Sequence, residues 1–178
     1  DGVGDFREDL VAVSLNRKYG FIDNRKYGFI DKSGKIIIEP KFNYAWSFSE
    51  GLAKVSLNGK IGFIDKSGEF IAKPKFDDVR DFREGLARVK LNGKWGFIDK
   101  SGKIIAKPEF DYVWDFREGL ARVKLNGKYG FIDKSGKIAI KPEFDDAWSF
   151  SEGLAKVWLN GKYGFIDKSG EFVIKPIF

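Results

Sequence analysis

The chain repeats itself every 34 residues, and that period constrains its fold more than any single residue does. Gly-Leu-Ala-Lys/Arg-Val begins at Gly51, Gly85, Gly119 and Gly153. The last copy stops at Lys175-Pro176-Ile177-Phe178, and Asp1 to Glu8 match Asp77 to Glu84, the stretch that follows Phe76. The tail therefore leaves off where the head resumes. The length of 178 leaves eight residues beyond five periods. These are a local duplication, with Arg17 to Asn24 copied at Arg25 to Lys32. The units read as 9–50 (containing the duplication, 17–32), 51–84, 85–118, 119–152 and 153–178 completed by 1–8, all within one domain, 1–178.

Inside a unit the pattern is that of strands. Leu86 to Leu91 alternates apolar and polar, with Ala87, Val89 and Leu91 on one face. Asn92-Gly93 is a type I′ turn signal, and Lys94 to Asp99 is the return strand. There Trp95 and Phe97 share a face and Ile98 takes the other. Lys100-Ser101-Gly102 predicts a bulged turn with Gly102 left-handed, and Lys103 to Lys107 a third strand that Pro108 ends. Phe110 to Phe116 holds a loop and a short fourth strand. Nothing repeats at 3.6 residues, so helical-pair repeats of the same length are excluded.

Sixteen of the 18 Phe fall in three repeat positions. One set is Phe21, Phe29, Phe63, Phe97, Phe131 and Phe165. A second is Phe6, Phe48, Phe82, Phe116 and Phe150, and a third is Phe42, Phe76, Phe110, Phe144 and Phe178. One 34-residue meander cannot cover that surface, so these rings are expected to be core between stacked units. No end unit has a polar cap, and the ends are complementary in register. The expected fold is therefore all-β and closed, a five-bladed β-propeller with small 34-residue blades; an open β-solenoid of the same units is the alternative. The duplication is expected to loop out at a rim, because an added strand would reverse everything after it.

Composition removes several chemistries. The chain has no Cys and no His. Disulfides, Cys or His metal ligands and histidine triads are thus excluded. It begins with Asp and has no Met, which reads as a piece of a longer protein. No apolar run is long enough to span a bilayer, so membrane insertion is not expected. The compartment stays open.

The segments Lys94-Trp95-Gly96-Phe97-Ile98-Asp99-Lys100-Ser101-Gly102-Lys103 and Glu118-Gly119-Leu120-Ala121 resemble the WG-repeat (KWG) family of bacterial repeat proteins. The frame recurs along the whole chain: Leu-Asn-Gly-Lys, an aromatic-Gly pair, Asp-Lys-Ser-Gly, Lys-Pro and Asp/Ser-Phe. Only the third unit keeps Trp in the pair; the others have Ile61, Tyr129, Tyr163 and Tyr19/Tyr27. Arg17 replaces the turn Gly, and Asp9 stands where Gly51 stands in the next unit. The resemblance implies a bacterial β-repeat domain with binding roles, and it brings no catalytic residues.

Candidate site residues are those that vary between near-identical units. Trp46, Arg80, Trp114 and Trp148 occupy one such position, with Gly4 in the first unit. Two places earlier stand Tyr44, Asp78, Tyr112, Asp146 and Gly2. Tyr/Trp at i, i+2 share a strand face and suit sugars, peptides or bases. The ligand-binding candidates are Trp46, Trp114, Trp148, Tyr44, Tyr112 and Arg80. Trp158 is expected to be a singly exposed ring. Asp-Lys-Ser-Gly gives too few oxygens for calcium, so its Asp is expected to accept bonds from its own turn. No cofactor or metal is expected.

Lys60, Lys94, Lys128 and Lys162, and Lys66, Lys100, Lys134 and Lys168, would form two basic circles in a ring. The chain is expected to be a non-catalytic scaffold, monomeric or domain-swapped, for an unknown peptide, glycan or protein. Polyanion or nucleic-acid binding by the lysines is one alternative. A carboxylate enzyme acting on glycans is the other.

Overall fold

The computed structural model describes residues 4–16 and 25–177. All regular structure there is β. β1 (Leu10–Asn16), β2 (Arg25–Asp31) and β3 (Ile36–Phe42) form a three-stranded antiparallel sheet. Four sheets of four strands follow: β4 (Tyr44–Ala45), β5 (Ala53–Leu57), β6 (Lys60–Ile64), β7 (Phe70–Phe76); β8 (Asp78–Val79), β9 (Leu86–Leu91), β10 (Lys94–Asp99), β11 (Ile104–Phe110); β12 (Tyr112–Arg117), β13 (Leu120–Leu125), β14 (Lys128–Asp133), β15 (Ile138–Phe144); and β16 (Asp146–Ala147), β17 (Ala155–Leu159), β18 (Lys162–Ile166), β19 (Phe172–Ile174). The residues group into two compact units, Asp1–Ala87 with Asp99–Lys103 and Arg88–Ile98 with Ile104–Phe178.

The turns are those the sequence predicts. Asn92 and Gly93 have φ of 51° and 80°, the two positive values of a type I′ hairpin. A second pair of this kind was not anticipated. Glu118 and Gly119 have φ of 51° and 87°, and the same turn recurs at Glu50-Gly51, Glu84-Gly85 and Glu152-Gly153. It folds the short strand onto the hairpin that follows it: Tyr44 and Ala45 pair with Ser56 and Val55. Sheets therefore begin at the short strand, and the expected unit boundaries at Gly51, Gly85, Gly119 and Gly153 fall inside them.

At the N-terminus the same pairing is local. Gly4 N donates to Ala12 O at 3.2 Å, and Arg7 bridges Leu10. This stretch thus bonds to β1, whereas the expectation gave 1–8 to the sheet of 153–178. Asn16 pairs with Arg25, so the second copy of the duplication supplies the return strand β2. The first copy, including Phe21, lies outside the described residues, as do Gly2 and Phe178.

Proline does not end the third strand. β11 runs through Pro108 to Phe110. Trp95 pairs with Phe110 and Phe97 with Ala106, so between these pairs one residue of β10, Gly96, faces three of β11, Lys107, Pro108 and Glu109. Pro108 sits in that bulge, where its missing N–H costs no ladder bond. β10 is covered on both faces, with Trp95, Phe97 and Ile98 all buried, while its partner β11 carries the bulge. The bulge explains the glycine of the aromatic-Gly pair. A Cβ on Gly96 would lie 2.3 Å from Ala106 O and 2.7 Å from Pro108 N. Gly28, Gly62, Gly130 and Gly164 meet the same obstruction from Ile38, Ala72, Ile140 and Ile174.

In the first unit Phe29 packs on Phe48 and Phe63 on Phe82, each with centroids 4.9 Å apart. In the second, Phe131 packs on Phe150 at 4.9 Å and Phe97 on Phe116 at 5.0 Å. Each such ring is worth about 1.5–3 kcal/mol in burial. The described Phe of all three sets are core, with two exceptions: Phe6 is 47% exposed and Phe165 is half-buried.

Candidate functional site

The hairpin turns use up much of the surface charge. Asp99 Oδ1 accepts from Ser101 N at 2.9 Å, Ser101 Oγ at 2.6 Å and Lys103 N at 3.1 Å. The same arrangement recurs at Asp31, Asp65, Asp133 and Asp167. The Ser hydroxyl bond, foremost, holds each of these carboxyls below the usual range.

The lysines expected to form basic circles are largely neutralised. Lys60 and Lys94 reach Asp77 at 2.6 Å and Asp111 at 2.5 Å, and Lys128 pairs with Asp145. Lys66, Lys100 and Lys168 reach Glu8, Glu50 and Glu118 at 3.0–3.3 Å. Each of these Glu side chains also accepts the N–H of the next turn glycine, Gly51, Gly85 or Gly153.

The variable aromatic positions build a different surface. In the first unit Tyr44 and Trp46 stack edge-on at 4.6 Å, and Tyr27 adds a third ring 4.9 Å from Tyr44. In the second unit Tyr112 and Trp114 stack at 4.6 Å, Trp114 lies 5.8 Å from Tyr129, and Trp148 lies 5.9 Å from Tyr163. Tyr44 and Trp148 are exposed; Trp46, Tyr112 and Trp114 are half-buried. Arg80 takes the Trp position and pairs with Asp78 at 3.0 Å. Trp158 is not a lone exposed ring: it is half-buried on Tyr163 at 4.2 Å.

Trp46, Trp114 and Trp148 each carry a cation from the strand beside them. Trp46 N donates to Lys54 O and Trp148 N to Lys156 O. That pairing places Lys54 Nζ 5.3 Å from the Trp46 ring and Lys156 Nζ 4.0 Å from the Trp148 ring. The Arg122 guanidinium lies 3.7 Å from the Trp114 ring. Contacts of this kind contribute about 0.5–2 kcal/mol and fix ring orientation. Carboxylates complete some of these rungs. Lys54 pairs with Asp81 at 2.7 Å, and Arg88 Nε lies 3.0 Å from Asp115, without the alignment of a hydrogen bond. Arg122 instead donates from Nη1 to Ala147 O, and its Nε is buried without a partner. Burial pulls its pKa below the ordinary value, and Asp146 opposes that pull.

Two cavities open beside Trp46 in the first unit. One, of about 310 Å³, is walled by Arg7, Trp46, Ser47, Phe48, Ser49, Lys54 and Asp81. The other, of about 300 Å³, is walled by Gly4, Ala12, Tyr27, Tyr44, Ala45, Trp46 and Ser47, with no charged side chain among them.

The model of the WG-containing repeat matches five consecutive segments, 27–60, 61–95, 95–129, 129–163 and 163–178. The chain belongs to the WG-containing repeat family. No curated protein matches it. Among solved structures it is similar to Hsv2p of Kluyveromyces lactis, at 14% identity over 93% of this chain and 61% of that one, TM-score 0.45. It is also similar to a eukaryotic initiation factor, at 11% identity over 94% and 53%, TM-score 0.47. The chain spans about three fifths or less of either.

Sequence reasoning found the aromatic residues of these WG units but missed the cations that face them. The signal was present: Trp46 and Lys54, Trp114 and Arg122, and Trp148 and Lys156 are evenly placed about Glu-Gly turns. It went unread because Glu rarely adopts a left-handed conformation, so Glu-Gly does not announce a type I′ turn.

Proposed function

We propose that this WG-repeat chain is a non-catalytic binding scaffold that takes a peptide, glycan or protein surface on its Trp–Tyr–cation rungs. The observation that carries this reading is the contrast between ring sets. The described Phe rings of the three repeat sets are buried apart from Phe6 and Phe165, whereas Tyr44, Trp46, Tyr112, Trp114 and Trp148 keep exposed area, and Lys54, Arg122 and Lys156 hold the three Trp rings in place. Rigid, half-exposed aromatic rings supply contact area at little entropic cost.

The carboxylates support a non-catalytic role. Every shifted carboxyl among the described residues moves downward, through hydrogen bonds from Ser, Lys or main-chain N–H. A glycosidase-type acid needs the opposite shift. The pairing of six hairpin lysines likewise argues against polyanion binding.

The test is titration of the chain with panels of glycans and peptides, followed by tryptophan fluorescence. The ligand found should lose binding to the Trp114→Ala/Trp148→Ala variant while the thermal midpoint stays near wild type. Binding that survives the double substitution contradicts the proposal. A salt-sensitive titration with mixed-sequence oligonucleotides would transfer the function to the lysines.

A further inference from the structure

The cavity at Gly4 and Ala12 has a specific shape, because it lies where the other sheets place a side chain of their own. Gly4 N bonds to Ala12 O at 3.2 Å, as Trp46 N bonds to Lys54 O at 3.0 Å and Trp148 N to Lys156 O at 2.9 Å. Gly4 therefore holds the Trp/Arg position and Ala12 the Lys/Arg position of the first sheet. Every other sheet has a cation there: Lys54, Arg88, Arg122 and Lys156. A Cβ on Gly4 would meet nothing closer than 3.8 Å, so the backbone leaves room for a larger group.

The surroundings of Arg122 describe what fits. Its guanidinium lies 3.7 Å from Trp114 and 5.7 Å from Tyr129, and it donates to Ala147 O. Arg88 donates likewise to Val113 O at 3.3 Å. The corresponding residues of the first sheet are Tyr27 for Tyr129 and Ala45 for Ala147, and both wall the cavity. Ser47 holds the repeat position of Ser149 in the Arg122 sheet and of Asp81, which Lys54 reaches at 2.7 Å. Tyr44 and Trp46 give two further aromatic walls.

We propose that this cavity binds a guanidinium side chain, an arginine presented by a peptide or protein, between Tyr27, Tyr44 and Trp46 with Ala45 O and Ser47 as acceptors. Arginine suits it better than lysine. Both internal arginines reach a main-chain carbonyl, Arg122 while lying on the Trp114 ring, and a planar guanidinium stacks where an ammonium does not. The proposal deepens the scaffold reading by naming a ligand class for one of its surfaces, and it rests on that reading.

The full chain is titrated calorimetrically with Nα-acetyl-arginine amide and with its neutral isostere, Nα-acetyl-citrulline amide. Saturable binding of the arginine probe is expected, with the citrulline probe about tenfold weaker. Ala12→Arg supplies the guanidinium from within and should abolish binding without lowering the thermal midpoint. Ser47→Asp adds the carboxylate found at Asp81 and Asp115 and should tighten binding about tenfold. Absent binding, equal binding of the two probes, or binding unchanged in Ala12→Arg overturns the proposal. If Ala12→Arg does not fold, unchanged affinity in Ser47→Asp overturns it. Ala12→Arg leaves Trp114 and Trp148 intact, so failure here is separable from failure of the scaffold reading.

Discussion

Asp99 shows how one residue holds a turn together. Its Oδ1 gathers two main-chain N–H groups and a hydroxyl, bonds that only the ionised carboxylate accepts fully. The bonds lower its pKa in the folded state, so the stability they bring is complete above the unfolded value near 4 and is lost as pH falls through the lower folded value. Asp31, Asp65, Asp133 and Asp167 repeat the effect. Glu50 and Glu118 act in the same sense, chiefly through Lys100 and Lys168. Thermal midpoints measured from pH 7 downward should stay level to about 5 and fall steeply below about 4. Replacing Asp31, Asp65, Asp99, Asp133 and Asp167 together by Asn should flatten that fall, and an unchanged profile contradicts the assignment. All these groups lie at or near the surface, so each acts weakly and the sum is what the profile reads.

At the level of strands, two kinds of glycine have different jobs. Gly130 sits in β14 beneath the bulged β15, where a Cβ would lie 2.5 Å from Ile140 O. Gly127 lies in an open turn at φ of 81° with nothing within 4 Å. Gly130→Ala forces two backbones apart and should cost about 3 kcal/mol or more, whereas Gly127→Ala meets only conformational strain and should cost about 1 kcal/mol. Chemical denaturation of both variants measures the difference, and equal costs refute the steric explanation. The strands and their Asn-Gly and Ser-Gly turns were legible because period-two alternation and turn glycines act locally. The continuation of β11 past Pro108 was not, because proline ends a strand unless a bulge takes it. That bulge depends on Gly96 in the neighbouring strand. The Glu-Gly turns were hidden for a related reason: Glu50 and Glu118 are left-handed residues bonded to glycines 35 positions on. The rings of the site were visible as variable positions, but which strand faced them was not.

Over the whole chain, the repeat separates a frame from a variable surface. The frame is made of buried Phe, bulged proline strands and self-bonded Asp turns, which recur from sheet to sheet. The surface consists of the Trp, Tyr, Lys and Arg positions that change from sheet to sheet, down to Gly4 and Ala12 in the first. The separation predicts unequal effects of truncation. Phe131 is fully buried and packs on Phe150 at 4.9 Å, whereas Trp148 is 36% exposed. The most direct test compares the thermal midpoints of Phe131→Ala and Trp148→Ala. Phe131→Ala should lose about 3–5 kcal/mol, roughly 10 °C for a chain of this size, and Trp148→Ala should stay within about 3 °C of wild type. A loss at Trp148 as large as that at Phe131 would make the tryptophans part of the frame and contradict their assignment as the binding surface.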